Sequence, residues 1–271
     1  LTQTQVVAAA VAGLHKGIAE TGMPAQLILC CMRGDENTAA NLETVTVAKE
    51  YLENGVCAVD LAGNEAAYPT KDFDKAVSLF LKDYDRFKDN ECYVYDAVDL
   101  LRQAICNRLT SVVRKTVSAY KSKDYFACVE YGEKLLSLLD TLDRILLNCK
   151  EFTFDSYIGP VCEYADKLDD FTRELYMINA KALITTWYCR LLSDKGNLHD
   201  YAHRQLGDHI NSFHKMRWEK FLEYVKAEMD GEKPTEIDWF KLEWDWVLSE
   251  TKFTSKVRED SLKAIGKQIL D

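Results

Sequence analysis

The stretch "VCAVDLAGNEAAYPTKDFDKAVSLFLKDYDRF", residues 56–87, is where the chain changes character. Its first half is an apolar run ending at Gly63-Asn64-Glu65, the pattern of a buried strand that opens onto an active-site loop. Its second half spaces apolar residues between charges at helical intervals. The change is visible in composition as well. Residues 1–73 hold six of the 12 glycines, two of the 14 tyrosines and no tryptophan, whereas residues 74–271 hold the other six glycines, twelve tyrosines and all 5 tryptophans. Glycine serves turns, so a glycine-rich segment followed by a long glycine-poor one predicts short alternating elements and then helices.

Upstream of the change, "TQTQVVAAAVAGLHKGIAETG" predicts a helix with Thr2 or Thr4 as its N-cap and Gly22 past its end. "AQLILCCM" predicts a strand buried on both faces. "NTAANLETVTVAKEYLENG" predicts a second helix stopped at Asn54-Gly55, and "VCAVDLAG" a second buried strand. Helix–strand–helix–strand with short connections is a piece of a parallel α/β sheet or barrel. Downstream, "YVYDAVDLLRQAICNRLTSVVRKTVSAY" places apolar side chains at 94, 97, 98, 101, 105, 109, 112 and 113, one face of a long helix. A Lys-Ser-Lys-Asp connection leads to the next helix. Further helices are expected over about 153–192, 197–228, 235–250 and 255–270, broken at Gly159-Pro160, Asp194–Asn197 and Asp230–Pro234. The fold class predicted is mainly α: an antiparallel helical bundle over 74–271, preceded by a partial α/β, barrel-derived segment with two parallel strands over 1–73.

A net charge of −10 without a basic stripe argues against nucleic acid and anionic membranes as partners. No apolar run approaches the ~20 residues of a membrane span. The 9 cysteines form no C-x-x-C pair and read as buried, reduced thiols.

Two resemblances follow from these residues. "LILCCMR" at 27–33 with "VCAVDLAGNEAAYPTKDF" at 56–73 resembles strands four and five of adenosine deaminase, a zinc-dependent (β/α)8 barrel. The resemblance implies that Gly63 would approach a purine through its backbone, with Asp60 and Glu65 in the same signature. From about residue 74 the chain resembles the C-terminal helical domain of alpha-N-acetylglucosaminidase, through "CYVYDAVDLLRQAICNR" at 92–108, Trp187 of "TTWY", "NLHDYAHRQLG" at 197–207 and "MRWEKFLE" at 216–223. It departs from that family where "TTWYCRLLS" replaces a Trp-Gly turn, and at Leu206, where an aromatic is usual.

Neither resemblance brings a complete catalytic set. A deaminase holds zinc with histidines, and residues 1–73 contain one, His15, on a helix. A retaining glycosidase uses two carboxylates about 5–5.5 Å apart, and in this family both come from a barrel domain. The expectation is therefore a helical domain of an alpha-N-acetylglucosaminidase-type hydrolase, with an adenosine deaminase fragment or a non-catalytic interaction protein as alternatives. No catalytic residue, metal ligand or cofactor is assigned. The expected partners are a carbohydrate ligand, and a second copy through the strands of residues 1–73.

The substrate-contacting candidates are Trp187, Asp200, Tyr201 and Gly63. Aromatic faces stack on sugar rings and a carboxylate accepts their hydroxyls. Beside them, "HDYAH" at 199–203 has the spacing of a helical zinc motif, but Asp200 replaces the usual Glu; His214 would lie roughly 16 Å farther along a helix, and His209 points elsewhere. "WFKLEWDW" at 239–246 reads as core packing at 239, 240, 243, 246 and 247. Asp96/Asp99 and Asp169/Asp170 read as solvated helix faces or caps, and Arg102 as an ion-pair partner of Asp99.

Overall fold

The computed structural model describes residues 1–63, 73–196, 198–202, 204–250 and 257–270. The chain divides into two compact units, Leu1–Asp72 and Phe73–Asp271.

The first unit runs α1 (Gln3–Thr21), β1 (Leu27–Met32), α2 (Thr38–Glu50) and β2 (Val56–Ala62). Thr2 caps α1 through a reciprocal box: its hydroxyl accepts from the Gln5 amide, and the Gln5 side chain accepts from the Thr2 amide. Gly22 ends the helix at φ 69°, a conformation that only glycine adopts without strain. β1 and β2 pair in parallel, with Ile28 opposite Ala58 and Met32 opposite Ala62. The Asn41 side chain of α2 bonds both the amide and the carbonyl of Met32, acting as a piece of a third strand. The small core is Val7, Val11, Val47, Ala48 and Val56, with Leu27, Leu29 and Tyr51 packed against it.

The expectation of strands buried on both faces does not hold. Ile28 is 61% exposed, Met32 47%, Val59 48% and Leu61 44%. An all-apolar strand needs helices on either side, and α1 and α2 both pack against the core that holds Leu27, Leu29 and Val56.

The second unit begins with α3 (Phe73–Phe80) and α4 (Tyr84–Phe87), then α5 (Glu91–Lys121) and α6 (Tyr125–Leu146). α5 and α6 form a long antiparallel pair. Asn90 and Asp124 cap them, each side chain accepting from the third residue of its own cap box. Their facing stripes supply Val98, Leu101, Ile105, Leu135, Leu142 and Ile145 to the main core. α7 (Phe154–Ala165), α8 (Asp170–Leu183), α9 (Met216–Met229), α10 (Trp239–Leu248) and α11 (Leu262–Leu270) complete the unit. α9 closes on α6 where Gly132 leaves room for the Leu222 methyls. A second core joins Phe154, Ile158, Ala180, Ile184 and Leu206, with Trp246 of α10 against them.

Three helix boundaries differ from the sequence expectation. The break expected at Gly159-Pro160 lies inside α7, which runs through Pro160, and the chain breaks instead at the Asp169 cap of α8. Ile158 is fully buried there, and its packing outweighs the one backbone bond that proline forfeits. Over 197–228 the helix proper starts only at Met216; 199–202 is a turn and Ile210–Lys215 is π-helical. The cause is tertiary. Gly207 pairs in parallel with Thr153, and Asp143 of α6 accepts from the Asp208 amide at 2.7 Å and from the Asn211 side chain at 3.1 Å, which holds the backbone out of a regular helix. Burial pushes the Asp143 carboxyl up to about 6. The third is the last helix, which starts at Leu262; residues 255 and 256 of the expected 255–270 lie outside the described ones.

All nine cysteines are free; Cys31, Cys128 and Cys149 are buried, whereas Cys30, Cys57, Cys92 and Cys189 are exposed, so the expectation of buried thiols holds only in part. Among the described residues, no helix is long and apolar enough to cross a membrane.

One buried charge in the second core has a measurable consequence. Lys181 of α8 is 1% exposed; its ammonium donates to the Ser249 carbonyl at 2.9 Å and lies 4.5 Å from the Trp246 ring centre. Burial pulls its pKa down from 10.5 to about 8. Between those values the unfolded chain binds more protons than the folded one, so stability rises with pH through that window and the charge costs roughly 3 kcal/mol at pH 7. Lys181→Met is expected to raise stability at pH 7 by about 1 kcal/mol, the lost cation–π contact and hydrogen bond offsetting the rest. It should also flatten the pH dependence of thermal unfolding above pH 8. A lower Tm at pH 7 with an unchanged pH slope would show that the charge is not the cost.

Candidate functional site

Three of the four sequence candidates sit together. α8 stops at Leu183, and the chain turns through buried Ile184, Thr185 and Thr186 into Trp187. The Trp187 amide bonds back to the Ala182 carbonyl at 2.9 Å. Trp187 and Tyr188 then take φ of 53° and 75°, and Asp200 takes 55°. Left-handed backbone at bulky residues costs energy and persists only where the surroundings enforce it. Here the Asp200 amide bonds the Thr185 carbonyl at 2.9 Å, which ties the two turns together. The sequence departure at Tyr188 thus has a structural meaning: the backbone keeps the shape that glycine would favour, and tyrosine occupies it.

The result is an open aromatic rim. Trp187 meets Tyr201 edge-on at 5.2 Å and Tyr188 edge-on at 6.2 Å. Tyr201 is 70% exposed, and Asp200 lies beside it in sequence on the same turn. Two clefts, of about 640 Å³ beside Tyr95 and Asp96 and about 520 Å³ between α9 and α10, lie elsewhere on this unit and do not include the rim residues.

Beneath the rim is a charge network that the sequence reading missed. Arg217 of α9 sends both terminal nitrogens to Asp200 Oδ2, at 2.9 Å each. Its Nη1 also donates to Glu243 Oε1 at 3.1 Å and its Nη2 to His214 Nδ1 at 2.9 Å, while the guanidinium carbon lies 4.7 Å from the Phe213 ring centre. His199 Nε2 is 2.6 Å from Glu243 Oε2 and 3.1 Å from Arg217 Nη1. A bare Nε2 would set its lone pair against the carboxylate, so this nitrogen carries hydrogen and donates to Glu243, and the Arg217 contact to it is proximity rather than a hydrogen bond. His214 Nδ1 accepts from Arg217 and is therefore the bare nitrogen of its ring.

Two expectations are corrected here. His199 is not on a helix, and His214 is not remote from it: the π-helical turn and the 199–202 turn bring both rings onto Arg217. Position 243, read as core packing, is buried, but as a carboxylate. That was the available signal: a Glu at a core register of an aromatic stripe requires a cation. His209, fully buried, stacks with Phe154 and Phe213 and meets His214 edge-on. His203 lies outside the described residues, which contain no cluster of three His, Cys, Asp or Glu side chains able to hold a metal. Asp99 pairs with Arg102 and Asp169 caps α8, as expected for helix faces and caps.

Gly63 belongs to the first unit. It follows β2 at φ 119°, and a Cβ there would come within 3.3 Å of the Arg33 amide nitrogen. Gly34 follows β1 at φ 120°, so both strands end in glycine at the carboxyl edge, where α/β sheets bind ligands. Asp60 lies in β2; Glu65 lies outside the described residues.

Residues 32–270 match the family model of the "Alpha-N-acetylglucosaminidase (NAGLU) C-terminal domain". The chain is 27% identical to human alpha-N-acetylglucosaminidase over 209 residues, 75% of this chain and 27% of that protein. A family 89 glycoside hydrolase from Clostridium perfringens in complex with PUGNAc superposes with a TM-score of 0.69 at 33% identity, over 74% of this chain and 23% of the other. A separate segment is 49% identical over 77 residues to adenosine deaminase of Haemophilus ducreyi, 27% of this chain and 22% of that protein. The chain thus spans about a quarter of the length of each relative.

The raised pKa of His199 makes the network sensitive to pH. Its hydrogen bond to Glu243 raises it most; burial and the neighbouring Arg217 work against the rise, and Asp200 adds to it. Around the ring stand Glu243 from α10, Arg217 from α9 and Asp200 on its own turn, with His214 reached through Arg217. A raised folded-state pKa means that the stabilisation is complete below the ordinary histidine value of about 6.5 and is lost as pH rises through the higher folded value. NMR titration should show His199 deprotonating above that ordinary value, with the Asp200 amide exchanging faster as it does so. Glu243→Gln should return the His199 titration toward the ordinary value; an unchanged titration would dissociate the pair.

Proposed function

This chain belongs to the alpha-N-acetylglucosaminidase C-terminal domain family, and on that premise we propose that its helical unit, over residues 74–271, supplies one wall of a site for terminal α-linked N-acetylglucosamine. The observation that carries the reading is the strained loop that puts Trp187, Tyr201 and Asp200 on one open surface. Trp187 would stack on the sugar ring, Asp200 would accept from its hydroxyls or amide N–H, and Tyr201 would close the edge. A C. perfringens relative has been captured with GlcNAc-α-1,4-galactose, which is the chemistry that this wall would meet. The chain alone carries no assigned catalytic carboxylates, so hydrolysis would need a barrel beside the wall.

The second reading concerns residues 1–73. Gly63 at the carboxyl end of β2, with the 49% identity to a deaminase segment, supports a purine-facing backbone contact there. The zinc that deaminases use does not fit this unit: its one histidine, His15, is exposed on α1, and no ligand cluster accompanies it among the described residues. No deamination step is derived. The exposed Ile28, Met32, Val59 and Leu61 support pairing with a second copy through the strands.

Saturation-transfer NMR with methyl N-acetyl-α-glucosaminide is expected to show contact at the acetyl and ring protons. Trp187→Ala should weaken binding about tenfold, the worth of one stacked aromatic. No transfer to the wild-type chain, or transfer unchanged in Trp187→Ala, would remove the wall reading. Light scattering after size exclusion should show a dimer that Val59→Lys converts to a monomer; a monomeric wild-type chain at high concentration would end the pairing reading.

A further inference from the structure

We propose that Arg217 is the positioning residue of the rim, holding the Asp200 carboxylate by one oxygen and so fixing the left-handed turn that sets Tyr201 against Trp187. This rests on the N-acetylglucosamine reading and adds a residue that does not itself touch the ligand.

The geometry is one-sided. A guanidinium facing a carboxylate ordinarily makes two parallel bonds, one nitrogen to each oxygen. Here both nitrogens converge on Asp200 Oδ2, at 2.9 Å each, because Nη1 is drawn across to Glu243 Oε1 and Nη2 to His214 Nδ1. Asp200 Oδ1 is left buried, with no donor among the described residues. A buried acceptor without a donor costs about 1–3 kcal/mol, so the turn stays in this position only because Arg217 holds the other oxygen. Arg217 is itself fixed from three further sides: Phe213 under its plane, Glu243 on α10 and His214 on the π-helical turn. Lysine could keep the charge but could not span these partners, because its donors radiate from one atom. Position therefore matters as well as charge, and the position is passed to the αL turn at Asp200 and from there to Tyr201 and Trp187.

The test compares the full chain with Arg217→Lys and Asp200→Asn, with far-UV circular dichroism confirming the fold. Three readouts are taken: the Asp200 side-chain carbonyl ¹³C resonance, the Trp187 indole N–H resonance, and affinity for methyl N-acetyl-α-glucosaminide. In Arg217→Lys the Asp200 and Trp187 resonances should move and affinity should fall about tenfold, equal to about 1.4 kcal/mol. Trp187→Ala should lose affinity without moving the Asp200 resonance, which separates positioning from contact. If Arg217→Lys proves unfolded, Asp200→Asn carries the test, because it leaves Arg217 paired with Glu243. Its Trp187 resonance should shift and its affinity fall. Unmoved Asp200 and Trp187 resonances in a folded Arg217→Lys chain would overturn the proposal, as would an unmoved Trp187 resonance in Asp200→Asn. Shifted resonances with no sugar binding by the wild type would support positioning while refuting the N-acetylglucosamine reading.

Discussion

A carboxylate removed from water costs several kcal/mol unless cations and donors meet it at good geometry. Glu243 is 1% exposed, and it is met by Arg217 on one oxygen and His199 on the other. Those partners come from α9 and from the turn after α8, so docking α10 in register and closing the turn are one event. Arg217 is shared, since the group that neutralises Glu243 also holds Asp200, and a change at either carboxylate reaches the other through one guanidinium.

This coupling explains how three bulky or charged residues tolerate left-handed backbone. Trp187, Tyr188 and Asp200 have no glycine among them, and each pays a conformational cost. The compensation is local and countable: the Trp187 amide on Ala182, the Asp200 amide on Thr185, and the Asp200 side chain on Arg217. The Tyr188 and Tyr201 rings face solvent while the strain is balanced beneath them on a rigid helical base.

The two units solve the burial problem differently. In the helical unit, long amphipathic stripes meet in antiparallel pairs and find partners within the unit, as Leu101, Leu135 and Leu142 do. In the first unit, two parallel strands have one packed side, and Asn41 substitutes for a neighbouring strand at Met32. The apolar residues on the other side are what a larger sheet would cover.

Much of this was legible in the residues. The caps at Thr2 and Gly22, the 3.6-residue stripe of α5 and the alternation of helix and strand in the first unit are local patterns, because a helix or strand imposes its period on neighbours a few residues apart. The motifs around Trp187 and 197–207 carried the family resemblance, and with it three of the rim residues. What the sequence could not carry was the meeting of His199, His214, Arg217 and Glu243. Their spacing follows no single period, Asp143 and Thr153 far upstream hold the backbone at 207 and 208 out of regular helix, and the core register of Glu243 signals a need for a cation without saying which one meets it. Periodicity along the chain determined the elements; long-range packing, which alone decides which charge is cut off from water, decided the site.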